Sequence, residues 1–337
     1  MHSFVALFTL ALPVFASALG HDHVSRRHRR NPNRAASAPH VRKATYTLKD
    51  MYQGQSFLDE WDFFSQSDPT NGLVDYQTKQ DATSKGLAYV QDDGTTILKV
   101  DNSTTLQSGQ NRASVRISSK TQYSSGLFIA DIYSMPHGCS VWPAYWSVGP
   151  DWPNAGEIDV LEGVNQQDLN QYTLHTGSGC SLTNANAKVA SGRVLGTTCT
   201  SSNGDNSGCA FQETDARSYG HNFNLAAGGV YAHLLADDGI SIWFFSRDDI
   251  PTDITSQSPD PSSWSTPSAF FPSTSCSISD HFYDHSLTID TTLCGDWAGA
   301  AYGSDGSCPG TCAEAVADPS NFDSAHWALN YIAVYQS

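Results

Sequence analysis

The sequence predicts an all-β sandwich or barrel. Two stretches share one grammar: Leu87-Ala88-Tyr89-Val90, Asp92-Asp93-Gly94 and residues 95–100, then residues 230–235, Asp237-Asp238-Gly239 and residues 240–245. Each is a run of β-branched and aromatic residues, a turn signal and a second such run, which is the signature of a hairpin. Further β-rich runs at 114–117, 126–133, 158–161 and 331–335 are bounded by Gly, Pro, Asn or Ser clusters. Long amphipathic helical periodicity is absent, which leaves sheet packed on sheet as the architecture.

The chain opens with an apolar run through Phe4, Val5, Leu7, Phe8, Leu10, Leu12, Val14 and Phe15 that ends in Ala16-Ser17-Ala18. That is a signal peptide over residues 1–18, too short to cross a bilayer. Residues 19–44 carry Arg26-Arg27, Arg29-Arg30, Arg34, Arg42 and Lys43 with almost no large apolar residue, and read as a disordered basic pro-segment or linker. Residues 45–337 fit one large β domain. Within it, 178–210 is rich in Ser, Gly, Asn and Thr yet holds Cys180, Cys199 and Cys209, so it reads as a long loop pinned by disulfides. Residues 251–275, with five prolines, read as a surface loop, since too little chain follows to build a second core.

Charge narrows the partners. Residues 1–43 hold seven of the 18 Lys+Arg and one of the 34 Asp+Glu, which leaves 11 against 33, a net −22, for the rest. Such a surface repels phosphate backbones and anionic membranes, so neither nucleic acid nor a membrane is an expected partner, and neutral substrates stay open. The eight cysteines, all between Cys139 and Cys312, point to disulfides in an oxidising compartment, with pairing left open. Cys308-x-x-x-Cys312 lacks a second ligand pair, so no metal site is expected. Asn102-Ser103-Thr104 is an N-glycosylation sequon.

The chemistry concentrates at Asn154-Ala155-Gly156-Glu157-Ile158-Asp159-Val160-Leu161-Glu162-Gly163. In a strand, Glu157 and Asp159 share a face while Ile158 and Val160 point into the opposite layer. Strict alternation would turn Glu162 the wrong way; a β-bulge near Val160 or Leu161 brings it back. Three carboxyls so close cannot all stay ionised cheaply, and retaining glycoside hydrolysis uses that conflict: an ionised nucleophile and a protonated acid about 5–5.5 Å apart. A solvated acidic face would account for the charges but not for their aromatic company. Calcium would want carbonyl or Asn donors in a loop. Trp142, Trp146 and Trp152 lie just upstream, and indoles stack on the flat CH faces of sugar rings, although each could equally be a core residue. His175, in Leu174-His175-Thr176, is either a substrate donor or a satisfied sheet histidine.

The segment resembles the signature of glycoside hydrolase family 16, in particular its fungal laminarinase-type endo-β-1,3(4)-glucanases. Blocks in the same order extend the resemblance from about residue 46 to the end: Ser114-Val115-Arg116-Ile117, Gly126-Leu127-Phe128-Ile129, Met135-Pro136-His137-Gly138-Cys139, Trp142-Pro143-Ala144-Tyr145-Trp146, Thr173-Leu174-His175-Thr176 and Cys294-Gly295-Asp296-Trp297-Ala298-Gly299. The resemblance implies a concanavalin A-like β-jelly roll of two antiparallel sheets with a concave substrate cleft. It implies Glu157 as nucleophile, Asp159 as its helper, Glu162 as general acid/base, and Trp146, Trp152, His175 and Trp297 in contact with glucan. The expected protein is a secreted, monomeric endo-glucanase that needs no cofactor. A transglycosylase, or a non-catalytic glucan-binding lectin on the same fold, is the alternative.

Overall fold

The computed structural model describes residues 45–183, 189–202, 204–304 and 306–337; the signal-peptide and pro-segment readings lie outside them. Two eight-stranded sheets face each other, joined by a small parallel ladder between Val74–Tyr76 and Arg112–Ser114. The first sheet runs Arg193–Gly196, Cys209–Gln212, Gln171–His175, Glu157–Glu162, Val141–Val148, His285–Leu293, Arg116–Tyr123, Trp61–Phe63. The second runs Ala269–Pro272, Gly239–Ser246, Gly229–Ala236, Gly126–Ser134, His326–Gln336, Thr96–Lys99, Ala88–Val90, and His326–Gln336 also pairs with Thr47–Tyr52. All pairings within both sheets are antiparallel, and both expected hairpins form; Ala236 pairs with Gly239 across a two-residue turn.

Side-chain alternation assigns each strand a dry face and an open one. Ile117, Tyr145, Ile158, Leu174 and Ile289 of the first sheet pack against Phe128, Ala130, Ile132, Tyr231, Ile242 and Val334 of the second in one continuous core. Each aliphatic or aromatic side chain of this kind contributes about 1.5–3 kcal/mol on burial. The strands of the second sheet are apolar on both faces. Their outward residues Leu127, Ile129, Val230, Trp243 and Phe245 form a second cluster, covered by Tyr46 and Trp264.

Two loop readings need correction. Within 178–210, Arg193–Gly196 is a strand that pairs with Cys209–Gln212 and closes one edge of the first sheet. Four residues are too few for a periodic signal, and only the neighbouring strand makes the pairing possible. Residues 251–275 are likewise not loop throughout, because Ala269–Pro272 joins the second sheet beside Gly239–Ser246. The eight cysteines pair as Cys139–Cys308, Cys180–Cys276, Cys199–Cys209 and Cys294–Cys312. Cys308 and Cys312 thus serve different bridges.

Candidate active site

The open face of the first sheet carries a cleft of about 850 Å³, with the Glu157–Glu162 strand across its floor. The strand has the predicted bulge. From Asp159 to Glu162 it advances three residues while Gln171–His175 advances two, Thr173 to Gln171; from Asp159 to Leu161 it advances two against one on the Val141–Val148 side. Val160 and Leu161 both enter the core, and Glu157, Asp159 and Glu162 all line the cleft. Gly156 sets the entry to this strand. Its φ of +77° is a backbone state that L side chains avoid, and a Cβ there would lie 2.2 Å from the carbonyl of His281.

Burial governs the electrostatics. It pushes the Glu157 carboxyl up to about 8, and the neighbouring Asp159 charge adds to the rise, while His175 and the Trp152 indole favour ionisation. Burial likewise raises Asp159 to about 8. Glu162 is also raised well above the usual carboxylate range, first by burial and then by Asp159. The cluster therefore holds protons at a pH where ordinary carboxyls have lost them. Asp159, at 2 % exposure, is the most enclosed of the three, and its Oδ2 has no hydrogen-bond partner among the described residues.

The aromatic residues sit around this cluster. Trp142 donates its indole N–H to Glu162 Oε1 at 2.8 Å and meets Trp297 edge to face at 5.6 Å. Trp146 lies in the floor with its N–H on Asp290 Oδ2 at 3.3 Å. Trp152 stands at the rim, 47 % exposed. Trp297 is carried by the helical turn Gly295–Gly299, held at its base by the Cys294–Cys312 bridge. His175 is buried, with Nδ1 3.1 Å from Ser201 Oγ and Nε2 3.4 Å from Asp159 Oδ2. It lines the cleft from the adjacent strand, opposite Glu157 in the ladder, and its Nε2 approaches Asp159.

Sequence reasoning gave no site role to Arg116 or Asp290, both of which line the cleft. Their groups approach to 3.7 Å, and the Arg116 guanidinium lies 4.8 Å from the Phe64 ring and 4.9 Å from that of Trp146. Burial pushes Asp290 up to about 7, against the pull of Arg116. The alternation Thr288-Ile289-Asp290-Thr291-Thr292, with an acid on the polar face of an apolar strand, was the available signal. Among the described residues, Glu157–Asp159–His175 and Cys180–Cys276–His281 bring potential metal ligands together, and in the second set both sulfurs are consumed by the disulfide.

Residues 61–335 match the family described as XgeA-like, catalytic GH16 domain. The chain belongs to glycoside hydrolase family 16. It is 42 % identical to a probable glycosidase of Schizosaccharomyces pombe, over 88 % of this chain and 71 % of that protein. It is equally identical to an endo-1,3(4)-beta-glucanase of Arthroderma benhamiae, over 87 % of this chain but 65 % of the relative. Against a probable endo-1,3(4)-beta-glucanase of Neosartorya fischeri it spans 47 % of the relative's length. Among solved structures, laminarinase 16A of Phanerochaete chrysosporium, with beta-glucans in donor and acceptor sites, superposes with a TM-score of 0.83 at 40 % identity, covering 87 % of this chain and all of that one. An elongating family 16 beta-1,3-glucosyltransferase gives 0.82 at 42 % identity with the same coverage.

Proposed function

We propose that this chain is a secreted, monomeric, retaining endo-glycosidase acting on β-1,3-glucan, with mixed-linkage β-1,3/1,4-glucan also accepted. The observation that carries the reading is the bulged strand. It sets Glu157 and Glu162 on either side of Asp159 in an aromatic-lined cleft. Glu157 is half-buried in the cleft lining and has His175 and Trp152 favouring its charge, whereas Asp159 is 2 % exposed. In this reading Asp159, the more enclosed of the two, carries the proton of that pair when Glu157 attacks, and Glu157 is the nucleophile.

Glu157 attacks the anomeric carbon as Glu162 protonates the departing glucosidic oxygen, which leaves a covalent glycosyl-enzyme. Glu162, now ionised and stabilised by the Trp142 N–H, deprotonates the water that releases the sugar with its configuration retained. Trp142, Trp146, Trp152 and Trp297 supply the surfaces on which glucose units stack. The four disulfides and the fungal relatives support an extracellular setting.

Glu157→Gln tests the reading: the protein should fold and lose laminarin hydrolysis by several orders of magnitude, and retained turnover would reassign the nucleophile. The 42 % identical glucosyltransferase favours transfer as a second reading, in which a sugar hydroxyl replaces water in the second step. Products formed with excess oligosaccharide acceptor separate the two, since elongated glucans form only by transfer.

A further inference from the structure

The bulge that turns Glu162 into the cleft puts the strand out of step with both neighbours between Asp159 and Glu162. Backbone groups displaced from a ladder in a dry sheet must find other partners. One side chain meets two of them. Asn170 Oδ1 accepts from the Glu162 N–H at 2.9 Å, and Asn170 Nδ2 donates to the Val160 carbonyl at 2.9 Å. The amide thus staples the bulge, one arm on each side of Leu161. Its orientation is fixed by chemistry, because the N–H needs the oxygen and the carbonyl needs the nitrogen.

Asn170 is itself held on every side. It is 0 % exposed. Its own N–H donates to Ser218 Oγ at 3.1 Å, its carbonyl accepts from Glu213 N–H at 2.9 Å, and the Ser218 carbonyl takes the hydroxyl of Tyr231 from the second sheet. The staple is therefore tied to the opposite layer of the sandwich through Ser218 and Tyr231.

We infer that Asn170 is a positioning residue for Glu162: by closing the bulge it fixes the direction in which that carboxyl enters the cleft. It is absent from the cleft lining, so its influence runs through the backbone of Glu162. The inference rests on Glu162 being the acid/base, and its consequence is selective. Steps that need proton transfer should suffer, while sugar binding and attack by Glu157 should not.

Two substrates read that selectivity in the purified enzyme. Laminarin needs Glu162 to protonate its leaving alkoxide, whereas the phenolate of a 2,4-dinitrophenyl β-laminaribioside departs unaided. Azide can then replace base-activated water: it attacks the anomeric carbon, the bond to the Glu157 oxygen breaks, and a β-glycosyl azide leaves with the Glu157 carboxylate restored. For Asn170→Ala we expect kcat on laminarin to fall about 100-fold with little change in KM, the scale of a catalytic group misplaced by about 1 Å. With the aryl glycoside and azide, turnover should return to near the wild-type rate. Equal loss on both substrates, or no loss on laminarin, overturns the inference. Should Asn170→Ala be recovered unfolded by circular dichroism, Asn170→Asp carries the same comparison, since it keeps an acceptor for the Glu162 N–H and loses only the donor to Val160. Glu162→Ala is the control. If it lacks azide rescue, the assignment of Glu162 fails and the inference falls with it, a result distinct from failure in the Asn170 variants alone.

Discussion

The indole N–H of Trp142 lies 2.8 Å from Glu162 Oε1 and is the hydrogen bond that favours the charged form of that carboxyl. Burial and Asp159 push the other way. A tryptophan expected from sequence to stack on sugar is therefore also a tuning group for the proposed acid/base. The two roles are compatible, because Trp142 lines the cleft while its indole N–H is spent on Glu162.

Trp142→Phe keeps the aromatic surface and deletes the donor. A hydrogen bond to a charged group is worth about 1.5–3 kcal/mol, or about one pH unit or more in Glu162. Without it the ionised form is disfavoured, so the acid stays protonated to higher pH. The alkaline limb of kcat/KM should move up by about one unit, and kcat should fall about tenfold. A pH–rate profile with an unmoved alkaline limb would contradict this.

The acid cluster makes stability fall as pH rises. Glu162 is raised from 4.5, so the folded state keeps a proton that the unfolded chain releases above that value, and stability declines above pH 4.5 up to the folded pKa. Glu157→Gln and Glu162→Gln should each flatten that decline, by at most about 1.4 kcal/mol per pH unit. Urea unfolding at several pH values measures the slope, and parallel curves for wild type and variant would refute it.

His233 acts in the opposite direction. It is fully buried, stacked on Phe128 at 4.4 Å with Nδ1 unpaired among the described residues, and burial depresses it from 6.5 to about 3. The unfolded chain takes up this proton below 6.5 and the folded one does not until about 3, so stability drains away as pH falls through that window. His233→Leu should recover about 2 kcal/mol at pH 5 relative to its own effect at pH 7, read by thermal or urea unfolding at the two pH values.

The Cys294–Cys312 bridge closes an 18-residue separation and anchors the turn that carries Trp297. Replacing both cysteines by serine should cost about 3 kcal/mol of stability. It should also raise KM for laminarin more than it lowers kcat, since the contact proposed for Trp297 is with glucan and not with the acids. Equal effects on the two constants would argue that the bridge supports the catalytic strand instead.

Much of this was legible in the chain. The alternation of Glu157, Ile158, Asp159 and Val160 exposes the strand, and the extra residue before Glu162 forces a bulge once all three acids are required on one face. Both hairpins follow from Asp-Asp-Gly turns between β-branched runs. The Arg193–Gly196 strand was not legible, because its four residues acquire meaning only beside Cys209–Gln212. Asp290 and Asn170 were equally silent. An isolated acid or amide does not announce that its partners are Trp146 and Arg116, or the flanks of a bulge.

Local order along the backbone determined most of the longer strands, their dry faces, and that three carboxyls share one surface, since strand periodicity acts between near neighbours. The folded sandwich alone decided which cysteines meet, which oxygen the Trp142 indole holds, and what closes the kinked ladder behind Glu162. Those relationships join segments far apart in the chain, and burial, which shifts the carboxyls, exists only once the cleft walls have gathered around them.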